Sequence, residues 1–314
     1  MTEPLPIAHV GILVADLESA RERWQAVMGL PFSPISRYRP SNWSDLDNPM
    51  PHLHDARLTF CAGDGPSIEI LEFVGTGTHS PTRGEGGHHL SFPPIADGAA
   101  RRAELTALGV GTDGEIWHDG RWIFQFTDAR ALDNVHTEWV EEHPDHADAK
   151  DDRSPIDRAP DGSARLFPAE MLAPLGGGRP PSGIVEVGVR VSDLAESARR
   201  WEAVTGYRFE ALGGEAVGGA DQPTRIRLVP AARGDRLGLA YALVEVPDLA
   251  STLARLAAAD VPVKVTTDDA GAPVTIEVSA EYVNGFAVRF VACGPRPDQR
   301  VGDRRAAPPS GLGG

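Results

Sequence analysis

The chain has 314 residues, 41% hydrophobic and 24% charged, a composition that supplies two ordinary cores and excludes a largely disordered protein. Its formal charge of -15 disfavours nucleic acid and acidic membranes as partners and favours a small-molecule substrate. Two isolated cysteines, Cys61 and Cys293, exclude a disulfide framework. Because the sequence has no signal peptide and no membrane-spanning run, we expect a cytoplasmic protein.

An internal repeat organises the chain. Residues 7–29 (IAHVGILVADLESARERWQAVMG) recur without a gap at residues 184–206 (IVEVGVRVSDLAESARRWEAVTG). Each copy predicts a strand and then an amphipathic helix, which starts at an Asp-Leu pair and ends at a glycine with left-handed geometry. Weaker copies start at Gly87 and Gly238, and short β-like runs follow each helix. The pattern predicts four βαβββ units, the third of them short of one strand.

Composition divides these units into two domains. We expect one domain at residues 1–145, a linker rich in Asp, Pro and Gly at 146–182, a second domain that copies the first at 183–295 and a disordered tail at 296–314. The linker is also predicted to contain a short helix at residues 168–172.

Comparison of the two halves identifies polar residues that the fold does not need. The aligned pairs are His9 with Glu186, His89 with Ala240, and Glu138 with Val288. Since the second half folds without these imidazoles and this carboxylate, we interpret them as functional. Glu69 has the inward parity of its strand and Glu72 the outward parity, although Glu72 remains the alternative ligand.

Buried His and Glu side chains are costly unless a cation compensates them. Two neutral imidazoles and two carboxylates balance one divalent ion, and a nitrogen and oxygen set without sulfur suits Zn, Ni, Co, Mn or Fe(II). His88 and His89 are adjacent and therefore predicted to point to opposite faces, with register favouring His89 as the inward residue.

Other residues are candidates for contacts with substrate. His136 shares the parity of Glu138 and is either a catalytic proton donor or a structural hydrogen-bond partner. Residues 37–55 form either a lid over the site, which carries Tyr38, Trp43, His52 and His54, or an ordinary surface loop. Trp117, His118 and Trp122 flank a predicted turn and form either a pocket wall or a packing cluster.

These motifs resemble a known family. The opening HVGILVADLESARERWQAVMGLPF, the strands IEILEF and GGHHLSF, and the terminal HTEWVE are similar to the ligand-bearing strands of the vicinal oxygen chelate superfamily, which includes glyoxalase I, methylmalonyl-CoA epimerase and extradiol dioxygenases. The resemblance implies an α+β fold of four βαβββ modules, paired into two cupped eight-stranded mixed sheets with flanking helices. It assigns the metal ligands as His9, Glu69, His89 and Glu138.

The resemblance also implies a chemistry, in which a metal chelates neighbouring substrate oxygens and stabilises an enolate or oxyanion. Extradiol dioxygenases resemble a set of two His and one carboxylate, so a fourth ligand, Glu69, favours an isomerase, epimerase or lyase with Glu138 or Glu69 as general base. No acidic residue on the strand at residues 57–61 offers a second base, which disfavours epimerisation of a CoA ester. The alternatives are an Fe(II) extradiol dioxygenase and a metal-free binding or resistance protein. The chain is expected to act as a monomer or homodimer.

Overall fold

The protein is described by a computed structural model over residues 4–63, 65–75, 77–118, 120–141, 157–158, 164–165 and 183–293. It is an α+β protein in which two mixed sheets each form from one half of the chain. The predicted fold class is therefore confirmed. The predicted linker, its short helix and the tail lie outside the described residues, apart from a two-stranded hairpin. No described helix is long and apolar enough to cross a membrane.

The first sheet has nine strands in the order β2-β4-β5-β1-β6-β9-β8-β7-β3. Their bounds are β1 His9–Val14, β2 Ser36–Tyr38, β3 Trp43–Asp45, β4 Ala56–Phe60, β5 Ser67–Glu72, β6 Gly86–Ser91, β7 Thr112–His118, β8 Arg121–Thr127 and β9 His136–Val140. The linker hairpin pairs β10 (Asp157–Arg158) with β11 (Ala164–Arg165).

The second sheet has eight strands in the order β13-β14-β15-β12-β16-β19-β18-β17. Their bounds are β12 Ile184–Val191, β13 Phe209–Leu212, β14 Glu215–Gly218, β15 Arg225–Pro230, β16 Gly238–Val246, β17 Val263–Thr267, β18 Pro273–Val278 and β19 Ala287–Ala292. The third unit is complete, contrary to the prediction, because β13 and β14 form a hairpin across Gly213 and Gly214, both with positive φ.

Within the described residues, four α-helices cover the sheets, and their ends follow from capping residues. They are α1 (Leu17–Met28), α2 (Gly98–Ala107), α3 (Leu194–Thr205) and α4 (Leu249–Ala258). In α1, the Asp16 carboxylate accepts a hydrogen bond from the Ser19 amide, and Gly29 ends the helix at φ 68°. The repeat reproduces this arrangement in α3 with Asp193 and Gly206. The capping pattern in the sequence is thus confirmed.

The ninth strand of the first sheet comes from the predicted lid segment. β2 and β3 lie at opposite edges of the sheet, yet only residues 39–42 separate them in sequence. A chain so short can connect two edges only if the sheet curls until they approach each other. Residues 39–42 therefore pass between the two edges of the curled sheet, and β3 adds a strand to the predicted eight.

The two sheets share one continuous hydrophobic core. Trp24 of α1 packs against Phe286, with ring centroids 6.2 Å apart. Arg255 of α4 donates hydrogen bonds to the carbonyl oxygens of Ala26 and Val27 at the end of α1, where the negative end of the helix dipole favours a cation. The second half therefore packs tightly against the domain that carries the candidate site.

Candidate metal centre

Four polar side chains converge on one point inside the first sheet. They are His9 on β1, Glu69 on β5, His89 on β6 and Glu138 on β9, and one potential ligand atom from each lies within 4.8 Å of all the others. The Nε2 atom of His89 is 3.0 Å from Nε2 of His9, 3.0 Å from Oε2 of Glu138 and 3.2 Å from Oε2 of Glu69. The structure thus brings together all four residues assigned from the sequence.

Strand register explains this convergence. Gly11, on the inner face of β1, lies opposite Glu69 on one side and His89 on the other. A Cβ atom at Gly11 would lie 2.0 Å from the His89 ring, so only glycine leaves room for that imidazole. Across the next strand pair, Ser91 lies opposite Glu138 and its hydroxyl donates to Oε1 of Glu138 at 3.2 Å.

The prediction that His88 and His89 point to opposite faces is wrong. Gly11 of β1 pairs with His89 but Ile12 pairs with Gly87, so His88 is an extra residue in a β-bulge. The bulge breaks the two-residue alternation, and both imidazoles contact the same Phe126 ring, with centroids 5.5 Å and 4.9 Å away. His88 is therefore a direct neighbour of the centre.

The donor atoms fit a divalent metal in spacing as well as in chemistry. For metal–ligand bonds of about 2.1 Å, neighbouring ligand atoms lie about 3.0 Å apart in an octahedral site and about 3.4 Å apart in a tetrahedral one. The contacts of the His9 Nε2 atom with Oε2 of Glu69 and Oε2 of Glu138 measure 3.3 Å and 3.4 Å. Glu69 Oε2 is buried and receives no aligned hydrogen bond, as expected of an atom whose partner is a cation.

The pKa values of the four side chains indicate that the centre favours positive charge. Burial alone would lower the pKa of His9, but the Glu138 and Glu69 carboxylates outweigh burial and raise it to about 10. The pKa of His89 is raised against burial by the same carboxylates. Burial raises the pKa of Glu69 and Glu138, but the charge of His9 outweighs it and lowers both. Without a metal, protons therefore take the place of a cation here.

Comparison with known proteins finds a family match over part of the first half. Residues 8–124 match the sequence profile of the Glyoxalase/Bleomycin resistance protein/Dioxygenase superfamily, and this range contains three of the four convergent residues. No curated protein matches the chain in sequence. Over residues 8–124 the chain is thus similar to this superfamily, also called the vicinal oxygen chelate superfamily, which confirms the resemblance of its sequence motifs there.

Solved structures share the fold over most of the chain. A variant of 4-hydroxymandelate synthase from Streptomyces coelicolor is 15% identical with a TM-score of 0.57, covering 93% of each chain. The 2,2',3-trihydroxybiphenyl 1,2-dioxygenase of Sphingomonas wittichii is 11% identical with a TM-score of 0.53, covering 93% of this chain and 91% of that one. A 2,3-dioxygenase from Pseudomonas sp. KL28 is 14% identical with a TM-score of 0.52, covering 95% and 96%. At these identities the likeness shows the fold alone.

The second unit has different residues at all four ligand positions. Strand register places the following residues at the positions of His9, Glu69, His89 and Glu138, in that order: Glu186, Arg227, Tyr241 and Arg289. The sequence alignment with Ala240 and Val288 was wrong by one residue. It matched Gly87 with Gly238, whereas the strand pairing matches Gly86 with Gly238.

Aromatic side chains surround the candidate metal centre. Phe60 of β4 meets the His9 ring edge-on at 5.4 Å, and Phe126 of β8 contacts the His89 ring. The pKa of the Tyr38 hydroxyl is raised well above its usual value by burial and by the nearby charges of Glu138 and Glu69. A contact of Tyr38 with substrate stays a prediction. Phe60 and Phe126 were not identified from the sequence, in which they are ordinary strand residues.

Two other predicted substrate contacts are buried in a packed layer. Trp43 is fully buried, stacks on His54 with ring centroids 4.3 Å apart, and donates from Nε1 to Asp45 at 3.0 Å. His54 in turn contacts Nδ1 of His79 at 3.0 Å. Burial first, and then His52, lowers the pKa of His54 to about 4, so this imidazole is neutral at pH 7. A direct contact of Trp43 or His54 with substrate stays a prediction.

The structure does not support Trp122 as a substrate contact. Its ring is fully buried in the main core, where it lies against Gly98 at the start of α2. A bulge explains the difference: Ile116 pairs with Phe124 but Trp117 pairs with Trp122, so Ile123 is an extra residue in β8. The alternation therefore changes within β8, which directs Trp122 to the core and leaves Phe124 and Phe126 in the other hydrophobic cluster.

His136 is buried behind the ligand cluster. Its Nδ1 atom donates to the Thr127 carbonyl oxygen at 2.7 Å, and its ring packs against His88 with centroids 4.5 Å apart. Burial and the Arg83 guanidinium lower the pKa of His136 to about 3. A neutral imidazole is a poor proton donor at pH 7, so these contacts favour the structural alternative, and a catalytic role for His136 stays a prediction.

Proposed function

We propose that the protein is a metal-dependent isomerase or lyase that acts on a small substrate with two neighbouring oxygens. The observation that carries this proposal is the fourth ligand: Glu69 lies with His9, His89 and Glu138 rather than outside the cluster. A divalent ion held by these residues would supply electrostatic stabilisation of negative charge on a substrate oxygen. Zn, Ni, Co, Mn and Fe(II) all suit this donor set.

The two carboxylates differ in how firmly the protein holds them. Oε1 of Glu138 accepts a hydrogen bond from Ser91, whereas the contacts of Oε2 of Glu69 within the described residues are with the ligand histidines His9 and His89. The less constrained Glu69 is the better candidate for the general base that takes a proton from a carbon beside a carbonyl group. Phe60, Phe126 and Tyr38 would exclude water around that carbon, which strengthens the electrostatic interactions.

The test combines metal analysis with proton exchange. Purified protein is analysed for metal, and proton exchange in D2O is followed by NMR on a panel of 2-oxo acids, 2-hydroxy ketones and hemithioacetals. We expect about one metal per chain and exchange on at least one class of substrate. Glu69→Gln should lose exchange by about 10²–10⁴-fold, the contribution of a general base, while it retains metal.

Glu72→Gln is the matched control on the same strand. Glu72 faces away from the centre and pairs with Arg57 at 2.8 Å, so this variant should retain both metal and exchange. Full exchange by Glu69→Gln, or the absence of metal in the wild type, would contradict the proposal. A protein without metal would instead favour a binding protein.

A dioxygenase is the second candidate, because His9, His89 and Glu138 by themselves form a set of two His and one carboxylate. Two of the structural neighbours are named as dioxygenases, and all three share the two-unit fold. Anaerobic loading with Fe(II), followed by oxygen uptake on a panel of catechols, distinguishes the candidates. Uptake that persists in Glu69→Gln would support the dioxygenase, since that reaction needs only the other three ligands.

A further inference from the structure

A second histidine lies directly behind the ligand His89. Nδ1 of His88 is 2.9 Å from Nδ1 of His89, and Nε2 of His88 is 2.9 Å from the carbonyl oxygen of Thr78. Both rings are buried, with 4% and 0% exposure for His88 and His89. These contacts form a continuous series, which runs from the Thr78 carbonyl oxygen through His88 and His89 to the metal centre.

The chemistry of these atoms fixes the direction of each hydrogen bond. A carbonyl oxygen only accepts, so Nε2 of His88 must carry the proton and donate to Thr78. His88 has no carboxylate partner among the described residues, and a neutral imidazole with Nε2 protonated has its lone pair on Nδ1. Nδ1 of His89 therefore donates to His88, which leaves the lone pair of His89 on Nε2, the atom that faces the other ligands.

We propose that His88 is a positioning residue that sets the tautomer and ring orientation of His89, so that Nε2 of His89 is presented to the metal. This inference rests on the metal centre of the proposed function. Partners of this kind, which accept the second ring N–H of a ligating histidine, orient the ligand and raise its basicity.

The second unit shows that the fold does not require His88. β12 and β16 contain the equivalent bulge, in which Gly188 pairs with Tyr241 and Val189 pairs with Leu239. Ala240 is the extra residue there, so a methyl group suffices where the first unit has an imidazole. The unit in which a tyrosine replaces the ligand histidine also lacks the imidazole behind it.

The acceptor for His88 is held by the predicted lid segment. Thr78 lies in a short 3₁₀ turn, Gly77–His79, whose first amide donates to the Asp47 carboxylate at 3.0 Å. A Cβ at Gly77 would lie 2.1 Å from Asp45, so the turn packs closely against β3. β3 therefore supports a ligand of the centre through Thr78 and His88, in addition to closing the edge of the sheet.

The experiment measures the hydrogen bond between His89 and His88 separately from the metal affinity. In zinc-loaded, ¹⁵N-histidine-labelled full-length protein, we expect a scalar coupling between Nδ1 of His89 and Nδ1 of His88 across the N–H···N bond. Zinc affinity is measured by competition with a chromophoric chelator. His88→Phe retains the ring shape but cannot accept a hydrogen bond, and it should bind zinc about 10–100-fold more weakly.

Two further variants separate positioning from a general effect on folding. His88→Gln retains an acceptor and a donor and should recover most of the affinity lost in His88→Phe. His54→Phe removes another buried imidazole, with 2% exposure, that has no hydrogen bond to a ligand, and it should bind zinc like the wild type.

The outcomes distinguish the inference from the proposed function. If the wild type binds zinc but shows no coupling, or if His88→Phe binds as tightly as the wild type, the role of His88 is refuted while the metal centre stands. An equal loss in His54→Phe also refutes it, because the effect would then be one of general packing. If the wild type binds no metal, both proposals fail. Should His88→Phe not fold, the coupling and His88→Gln still decide.

Discussion

Metal binding at neutral pH should release at least one proton from the ligand cluster. The pKa of His9 is raised to about 10 by Glu138 and Glu69 against the opposing effect of burial. A metal ligand must be deprotonated, so an incoming ion has to displace this proton. With a pKa of about 10, three units above pH 7, only about one His9 in a thousand is neutral, a penalty of about 4 kcal/mol on binding.

The apparent affinity should therefore rise about tenfold per pH unit between pH 7 and 9 for a single proton. It should rise more steeply where His89, whose pKa is raised by the same carboxylates, also releases one. Isothermal titration calorimetry in two buffers with different ionisation enthalpies gives the number of protons released. A count near zero at pH 7, in a titration that still reaches one metal per chain, would refute the charge state assigned to His9.

The same protons make the stability of the metal-free protein depend on pH. The raised pKa of His9 contributes stability that is complete below about 6.5 and is lost as pH rises towards about 10. Glu69 and Glu138 have lowered pKa values, so their contribution is present above about 4.5 and is lost as pH falls. Within this cluster the metal-free form is most stable between these limits, which urea denaturation across pH 4 to 10 would measure.

Two further substitutions test the packing around the two centres. Gly11→Ala places a Cβ 2.0 Å from His89, so it should weaken metal binding at least about tenfold and lower the free energy of unfolding by about 1–3 kcal/mol. In the control Gly188→Ala, the new Cβ lies 2.0 Å from Tyr241. This control should lower stability by a similar amount but leave metal affinity unchanged. Glu186→Gln weakens the ion pair of the buried Glu186 with Arg227, so it should destabilise the protein by about 3 kcal/mol in urea denaturation without changing metal content. A variant as stable as the wild type would show that the charge of Glu186 does not stabilise the fold.

The sequence predicted the parts of the fold that local rules control. Helix caps such as Asp16 and Gly29 follow from short patterns, and the structure reproduces them. His9, His89 and Glu138 were identified by comparing the two halves, and Glu69 by its strand parity, although the matches for His89 and Glu138 were wrong by one residue. His9 and Glu186 fall in the ungapped part of the repeat, so their comparison was reliable.

Bulges were the main source of error. The rule that side chains alternate along a strand holds only where each residue has one partner, and His88 and Ile123 are both extra residues in their strands. Because of the bulge at His88, the face of that residue was predicted wrongly. The bulge at Ile123 directs Trp122 to the core rather than to the site. The hairpin of β13 and β14 was missed although its Gly213-Gly214 pair is a typical turn signal, because only Ala216 and Gly218 of the two strands are buried.

The second unit shows how the protein itself can neutralise a buried carboxylate without a metal. Its buried Glu186 accepts two hydrogen bonds from Arg227, at 2.7 Å and 2.9 Å, so the charge at the centre of the cup is neutralised within the protein. Arg227 occupies the position of Glu69, and a guanidinium there supplies the positive charge that a buried carboxylate requires.

In the first unit, the ion-pair partners of the Glu69 and Glu138 carboxylates within the described residues are two histidines, with no lysine or arginine among them. Two carboxylates with two neutral imidazoles leave two negative charges inside the sheet. Protons on the imidazoles balance these charges in the metal-free protein, and a divalent cation would balance them with one ion while using all four donors. The contrast between the two units thus argues that the ion bound at this centre carries a charge of 2+, and this argument does not depend on the spacing of the ligand atoms.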